Sequence, residues 1–303
     1  MQYSSKIGSM IASLFEKNDK FKQNHEIRPI RNQLFKSRQW MKNETAQKYA
    51  YNVKNARYDN LLLELYCDII SSFCPDGCDI LDAGAGTGAL SIALSKRGFS
   101  VTAFDISEEM LRHVQKADPQ IKLKCGDLFE ENDQEKKYDA VVSRWVVPHF
   151  SEWKILIKNW SNIVKPGGFL IFDMPNKEHI ELFDETSLKE LGKFIGYDHS
   201  KSSNDEGFYA CASNEELSEV ARNWSFKFVS RKPHGILKCN LKLASIVGGA
   251  GFREITNRLN TFDVGCNSYD LIKRIEVAAS EKLNQHDFHG SIIIFQKLAS
   301  SQE

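Results

Sequence analysis

The run Ile80-Leu81-Asp82-Ala83-Gly84-Ala85-Gly86-Thr87-Gly88-Ala89-Leu90 constrains this chain more than any other stretch. A strand pattern runs into closely spaced glycines and then into a helical pattern, so the turn is tight and a ligand can approach backbone that carries no Cβ. Backbone N–H groups and the N-terminus of the following helix should face whatever lies over the loop. Asp105 stands 21 residues after Gly84, at the end of the next apolar run, where a carboxylate can accept hydrogen bonds from ribose hydroxyls. Gly84, Gly86 and Ala89 also satisfy the relaxed dinucleotide fingerprint, so the loop by itself leaves NAD and other nucleosides open.

The pattern around the loop sets the fold class. Short apolar runs at 79–83, 100–105, 121–125, 138–143 and 169–173 alternate with helical segments near 90–97, 108–117 and 153–163. That alternation predicts right-handed βαβ crossovers and an α/β, doubly wound, mostly parallel sheet covered on both faces. Further strands are expected at 227–232 and 291–297. Before the sheet, Ile7, Met10, Ile11, Leu14 and Phe15 form one helical stripe, and a second helical region runs from about 45 to 73 until Pro75-Asp76-Gly77 ends it. Residues 177–212 read as polar and irregular with a helix near 186–194. Ser213 and Glu216 then form a capping box, and 234–289 carries an amphipathic helix near 269–283. The stretch Gly248-Gly249-Ala250-Gly251 reads as a hinge or loop, because no Lys-Ser/Thr follows it.

Composition narrows the functions. The 303 residues suit two average domains or one enlarged α/β domain, and 42% hydrophobic with 26% charged residues excludes a disordered chain. Forty basic residues balance forty acidic ones, so no net positive field favours a nucleic-acid partner. No uncharged stretch approaches the roughly 18 residues of a membrane span, and no apolar leader is evident, so a cytoplasmic, membrane-free protein is expected. Seven cysteines, an odd number, point to reduced thiols. Cys74 and Cys78 flank a turn without a second Cys or His pair, so no metal is expected.

The ordered motifs decide what the loop left open. From about 57 to 176, and more weakly over 213–234 and 290–298, the chain resembles the class I S-adenosylmethionine-dependent methyltransferases of small-molecule type. Asp82-Ala83-Gly84-Ala85-Gly86-Thr87-Gly88 looks like the family's first motif, Tyr138–Ser143 like its fourth strand, and Val164-Lys165-Pro166-Gly167-Gly168 like the turn before its fifth. The resemblance implies a Rossmann-like seven-stranded sheet with an antiparallel last strand. It implies S-adenosyl-L-methionine as cofactor, with Asp105 on the ribose and Ile106 and Met110 flanking the adenine. Gly126-Asp127-Leu128 would lie near the adenine amino group, and Tyr58, Asp82, Ala83, Gly84, Gly86, Gly88 and Ser143 would complete the cofactor site. A carboxylate at Asp82 also suits a ligand with a positive end better than a diphosphate.

Ligands of open α/β sheets bind outside the carboxyl ends of the parallel strands. Given an antiparallel last strand, 144–152, 174–212 and 234–290 crown that edge. The expected organisation is therefore an N-terminal helical lid region (1–75), a methyltransferase core (76–176, 213–234 and 290–303) and two cap insertions (177–212 and 235–289). His149 is the candidate general base, and Arg144, Trp145 and His149 are candidate acceptor contacts. Asp173 and Asn176 are weaker candidates, and His234, His286 and His289 map to the cap edge as ordinary histidines. Arg144 could grip a carboxylate or phosphate. Ser143-Arg144-Trp145-Val146-Val147-Pro148-His149 lacks both the Asn/Asp-Pro-Pro-Tyr/Phe loop and the Pro-Cys nucleophile of the family's amine and pyrimidine-carbon enzymes. The expected reaction is methyl transfer to oxygen or nitrogen of a small molecule, with RNA or protein acceptors, or a silent binding subunit, as alternatives. The Ile7–Phe15 stripe makes a homodimer plausible.

Overall fold

The computed structural model describes residue 44 and residues 56–129, 137–201, 208–261 and 267–299. The Ile7–Phe15 stripe and residues 45–55 lie outside the described residues. The first full helix, α1 (Arg57–Phe73), buries Tyr58, Leu61, Leu62, Tyr66, Cys67 and Ile70 on one face at helical spacing. It stops before Pro75-Asp76-Gly77, where Gly77 takes a φ of 80°.

Seven strands follow: β1 (Asp79–Ala83), β2 (Ser100–Asp105), β3 (Lys122–Cys125), β4 (Tyr138–Ser143), β5 (Val164–Asp173), β6 (Phe226–Pro233) and β7 (Ser291–Lys297), in the order β3-β2-β1-β4-β5-β7-β6. β1 to β5 pair in parallel, and β7 runs antiparallel to both β5 and β6. Helices α2 (Ala89–Ser95), α3 (Glu108–Ala117) and α4 (Trp153–Ser161) make the crossovers. This is the expected doubly wound sheet with an antiparallel last strand. Some bounds differ from the sequence reading. β5 starts at Val164 because Val164 pairs with Tyr138 ahead of a register shift, before Ala140 meets Phe169. Ile121 leaves β3 for the turn after Asp118, whose carbonyl accepts its N–H at 3.3 Å.

Period-two alternation divides the core. Leu81, Phe104, Val141, Leu170, Phe172, Ile293 and Phe295 share one cluster with Trp153, Leu156, Ile157 and Trp160 of α4. Their neighbours Ile80, Val101, Ala103, Ala140, Val142, Ile171, Ile292 and Ile294 face the other way, onto Tyr66, Cys67 and Ile70 of α1 and Leu90 and Leu94 of α2.

The remaining helices are α5 (Lys177–Ile180), α6 (Glu185–Ile195), α7 (Asn214–Asn223), α8 (Leu241–Thr261) and α9 (Asn267–Lys282). The capping box forms as read, with the Ser213 side chain accepting from Glu216 N–H and the Glu216 side chain accepting from Ser213 N–H. The two insertions share one apolar cluster, in which Ile180, Leu188 and Ile195 meet Leu241, Ala244 and Phe252. Gly248 alone breaks α8, at φ 69° and ψ 165°, so the glycine stretch is a one-residue hinge rather than a loop. Gly249 is small for another reason: a Cβ there would lie 2.0 Å from the Phe194 ring of α6. Among the described residues no helix is long and apolar enough to cross a membrane.

Candidate active site

The carboxyl ends of β1, β2 and β4 open into a cavity of about 400 Å³. Its floor is the glycine loop, and the loop's backbone is held from within. Gly84 and Ala85 N–H both donate to the Phe104 carbonyl, at 2.8 and 2.9 Å, and Gly88 N–H donates to Ala85 O. Gly86 N–H donates to Asp105 Oδ2 at 2.8 Å, and Ser107 N–H donates to Asp105 Oδ1 at 2.9 Å. This corrects the sequence reading, in which those N–H groups faced the ligand. With four of them internally engaged, fewer N–H groups are left to cradle a diphosphate. A Cβ on Gly84, whose φ is 81°, would lie 2.5 Å from Val146, so glycine there lets the β4 loop close over the β1 loop.

Burial raises the Asp105 carboxyl above its ordinary range, while its bonds to Ser107 and Gly86 pull it back. Asp82 is buried beneath the loop, not beside the cavity, and accepts the Ser91 hydroxyl of α2 at 2.6 Å. Burial pushes its carboxyl up to about 7, against the pull of Ser91.

At the end of β4 the backbone turns unusually. Trp145 has a φ of 60°, a left-handed conformation uncommon for a bulky residue. Its N–H donates to Asp173 Oδ1 at 2.6 Å. Asp173 Oδ2 and the Arg144 Nε–H are both buried with no hydrogen-bond partner among the described residues. Burial raises the Asp173 carboxyl to about 6, opposed by the Trp145 N–H and the Arg144 charge. Arg144 also donates to the Asp59 carbonyl at 3.2 Å.

The opposite wall comes from α1 and the two insertions. Asp59, Asn60 and Leu63 of α1, Ile195 and Tyr197 of the first insertion, and Lys238 and Cys239 of the second line the cavity. Lys238 bridges both carboxylate oxygens of Asp59, at 2.6 and 2.7 Å. Tyr197 stacks on Tyr209 with ring centroids 4.1 Å apart, and Trp145 lies nearly parallel to Tyr197 at 6.1 Å. His149 meets the Tyr209 ring edge-on at 5.1 Å.

Of the residues singled out from sequence, Gly84, Gly86, Asp105, Ile106, Met110, Asp127, Leu128, Arg144, Trp145 and His149 line this one cavity. The others sit behind it. Ala83 is buried, and the Ser143 hydroxyl donates to its carbonyl at 2.8 Å, tying β4 to β1. A Cβ on Gly88 would lie 2.6 Å from Val114 of α3, so this glycine serves packing, and Gly126 N–H donates to Asp105 O. Tyr58 is buried away from the cavity with its hydroxyl on Glu276. Asn176 ties the exit of β5 to the entry of β7 through the Phe288 and His289 backbone. His234, His286 and His289 do not line the cavity; His289 Nε2 lies 2.7 Å from His199 Nε2. Asp59 and Asn60 were findable, as polar positions opposite the buried stripe of α1; Tyr197, Lys238 and Cys239 carry no local pattern.

A family model described as a methyltransferase domain matches residues 55–252. The chain belongs to that methyltransferase-domain family. Among curated proteins, it is 31% identical over 105 residues to a ubiquinone biosynthesis O-methyltransferase of Coxiella burnetii, covering 33% of this chain and 45% of that one. It is 30% identical over 164 residues to a malonyl-[acyl-carrier protein] O-methyltransferase of Priestia megaterium, covering 52% and 57%. The chain thus spans about half the length of the curated relatives it matches. Among solved structures, magnesium protoporphyrin IX methyltransferase from Synechocystis PCC 6803 aligns with a TM-score of 0.48 at 17% identity, covering 80% of this chain and 85% of that one.

Proposed function

We propose that this chain is an S-adenosylmethionine-dependent methyltransferase that methylates oxygen or nitrogen of a small-molecule acceptor. One observation carries the reading: Asp105, Ile106, Met110, Asp127 and Leu128 meet the glycine loop in the same cavity as Arg144, Trp145 and His149. The internally bonded loop suits a nucleoside without phosphates, and Asp105 at the end of β2 would accept ribose hydroxyls on the lone pairs that Gly86 and Ser107 leave free. Ile106, Met110 and Leu128, which line the cavity, would flank the purine, with the Asp127 carboxylate near its amino group. The two O-methyltransferase relatives favour oxygen as the accepting atom.

The cofactor would supply an electrophilic methyl group on a sulfonium, displaced in line by the acceptor. Such a reaction depends chiefly on positioning. Arg144 would hold an anionic group of the acceptor, since its buried Nε–H has no protein acceptor among the described residues. His149 would take the proton where the acceptor loses one. A balanced net charge supports a small molecule over a nucleic acid.

Calorimetric titration with S-adenosylhomocysteine tests the cofactor, and binding unaffected by Asp105→Ala would sink the assignment. Labelled methyl transfer into metabolite pools, set against RNA and protein extracts, tests the acceptor. Label only in macromolecules would overturn it.

A further inference from the structure

We infer that the acceptor is a planar, ring-bearing molecule, selected by Trp145 and Tyr197, with Asp173 as the residue that positions Trp145. The inference rests on the methyl-transfer reading and adds the shape of the substrate.

Three observations carry it. The stack Trp145–Tyr197–Tyr209 is closed at one end and loose at the other: the tyrosines sit 4.1 Å apart, whereas Trp145 and Tyr197 are 6.1 Å apart at 15°. The two members of the looser pair are the two that line the cavity; Tyr209 is buried behind them. Trp145, moreover, is held in a left-handed backbone conformation that disfavours a bulky side chain, and strain of this kind persists where the surroundings over-determine it. The restraint here is a buried carboxylate oxygen, Asp173 Oδ1, on the Trp145 N–H.

Aromatic faces attract either another ring or an organic cation. The charges at this cavity choose between them. Lys238 is neutralised by Asp59, the Asp105 and Asp127 carboxylates stand with Ile106, Met110 and Leu128 on the proposed cofactor side, and Asp173 is buried on the Trp145 N–H. Arg144, next to Trp145, has no carboxylate within ion-pair distance among the described residues, so a cationic acceptor on the Trp145 face would meet that guanidinium. A flat ring, neutral or anionic, suits the same face.

The test uses the full chain saturated with S-adenosylhomocysteine and two probes: protocatechuate, a catechol carrying a carboxylate, and its saturated-ring analogue with the same charged and hydroxyl groups. Calorimetry should show protocatechuate binding about tenfold tighter than the analogue. Trp145→Leu and, separately, Tyr197→Leu should erase that preference and leave S-adenosylhomocysteine affinity unchanged. Asp173→Leu should erase it too, whereas Asp173→Asn, which keeps an oxygen for the Trp145 N–H, should retain it. Equal affinity for both probes, failure of both to bind, or a preference that survives Trp145→Leu and Tyr197→Leu overturns the inference. If wild-type chain fails to bind S-adenosylhomocysteine, the methyl-transfer reading itself falls, and this inference with it.

Discussion

The two sides of the cavity are held together by different means. The floor is tied by backbone groups close in sequence, with Gly84, Ala85 and Gly86 bonded to Phe104 and Asp105. The roof is tied by side chains from distant segments. Tyr58 meets Glu276 across 218 residues, Lys238 meets Asp59 across 179, and His199 meets His289 across 90. Glu276 also accepts the backbone N–H groups of Gly235, Ile236 and Leu237, clasping the second insertion onto α1. A floor built into the parallel sheet shares its stability, whereas a roof held by these polar pairs and two small apolar clusters apart from the sheet's core should be the part that opens first.

The largest effect should come from breaking the floor. Asp105→Ala removes the acceptor for the Gly86 and Ser107 N–H groups as well as the proposed ribose ligand. At about 1.5 kcal/mol per charge-assisted bond, S-adenosylhomocysteine affinity should fall about 100-fold. Urea unfolding of the roof should be little changed. A loss under about tenfold would mean that the cofactor does not rest on this floor.

Breaking the roof should reverse that pattern. Glu276→Ala leaves the Gly235 and Ile236 N–H groups and the Tyr58 hydroxyl without an acceptor, while Leu237 N–H keeps the Tyr58 oxygen, a cost of about 2–3 kcal/mol. Hydrogen exchange should rise across 234–240 and α9 while β1 and β2 stay protected. Tyr58→Phe keeps the three backbone bonds to Glu276, loses the second acceptor of Leu237 N–H, and should cost about 1 kcal/mol. Equal deprotection of β1 would show that roof and floor are one cooperative unit.

The two sides should also answer pH in opposite senses. Burial lowers the imidazoles of the roof: His199 to about 4, His234 to about 3, and His179 and His289 below their ordinary value. The stability that neutral histidines contribute is present above about pH 6.5 and is lost as pH falls from there toward 4. At the floor the carboxyls of Asp82 and Asp105 are raised, so their contribution is present below about pH 4 and is lost as pH rises toward 7. Glu276 is raised as well and works against the histidines, one carboxyl against four imidazoles. Moving from pH 7.5 to 5 should speed roof exchange about tenfold after correction for intrinsic rates, and slow it at the floor. Asp82→Asn should flatten the floor's response. A parallel shift on both sides would break the comparison.

The same division explains what the sequence revealed. Gly84, Gly86, Asp105, Ile106, Met110 and Asp127 follow one another at the spacing of a βαβ unit, and parallel pairing of β1 with β2 brings them together. Sequence could not say where the loop's N–H groups point, because their acceptor, the Phe104 carbonyl, is set by sheet register. Tyr58 looked like a cofactor contact, yet its partner, Glu276, lies in the second insertion, and no spacing rule joins the two. Tyr197 and Lys238 were missed for the same reason: each reaches the cavity only because two insertions pack on one shared core.

The smallest effect should come from the most exposed tie of the roof. Lys238 and Asp59 pair at 2.6 Å with their side chains 32% and 28% exposed, so water and salt screen the attraction. Lys238→Met should change unfolding stability by less than about 1 kcal/mol. Its effect on the acceptor should still be measurable, since Asp59 would then face the cavity unpaired and repel an anionic ring. Protocatechuate affinity should drop about threefold, more at low salt, and Asp59→Asn in the same background should restore it. A loss of S-adenosylhomocysteine affinity in place of protocatechuate affinity would move this pair from the acceptor side to the cofactor side, and the boundary between floor and roof would have to be redrawn along α1.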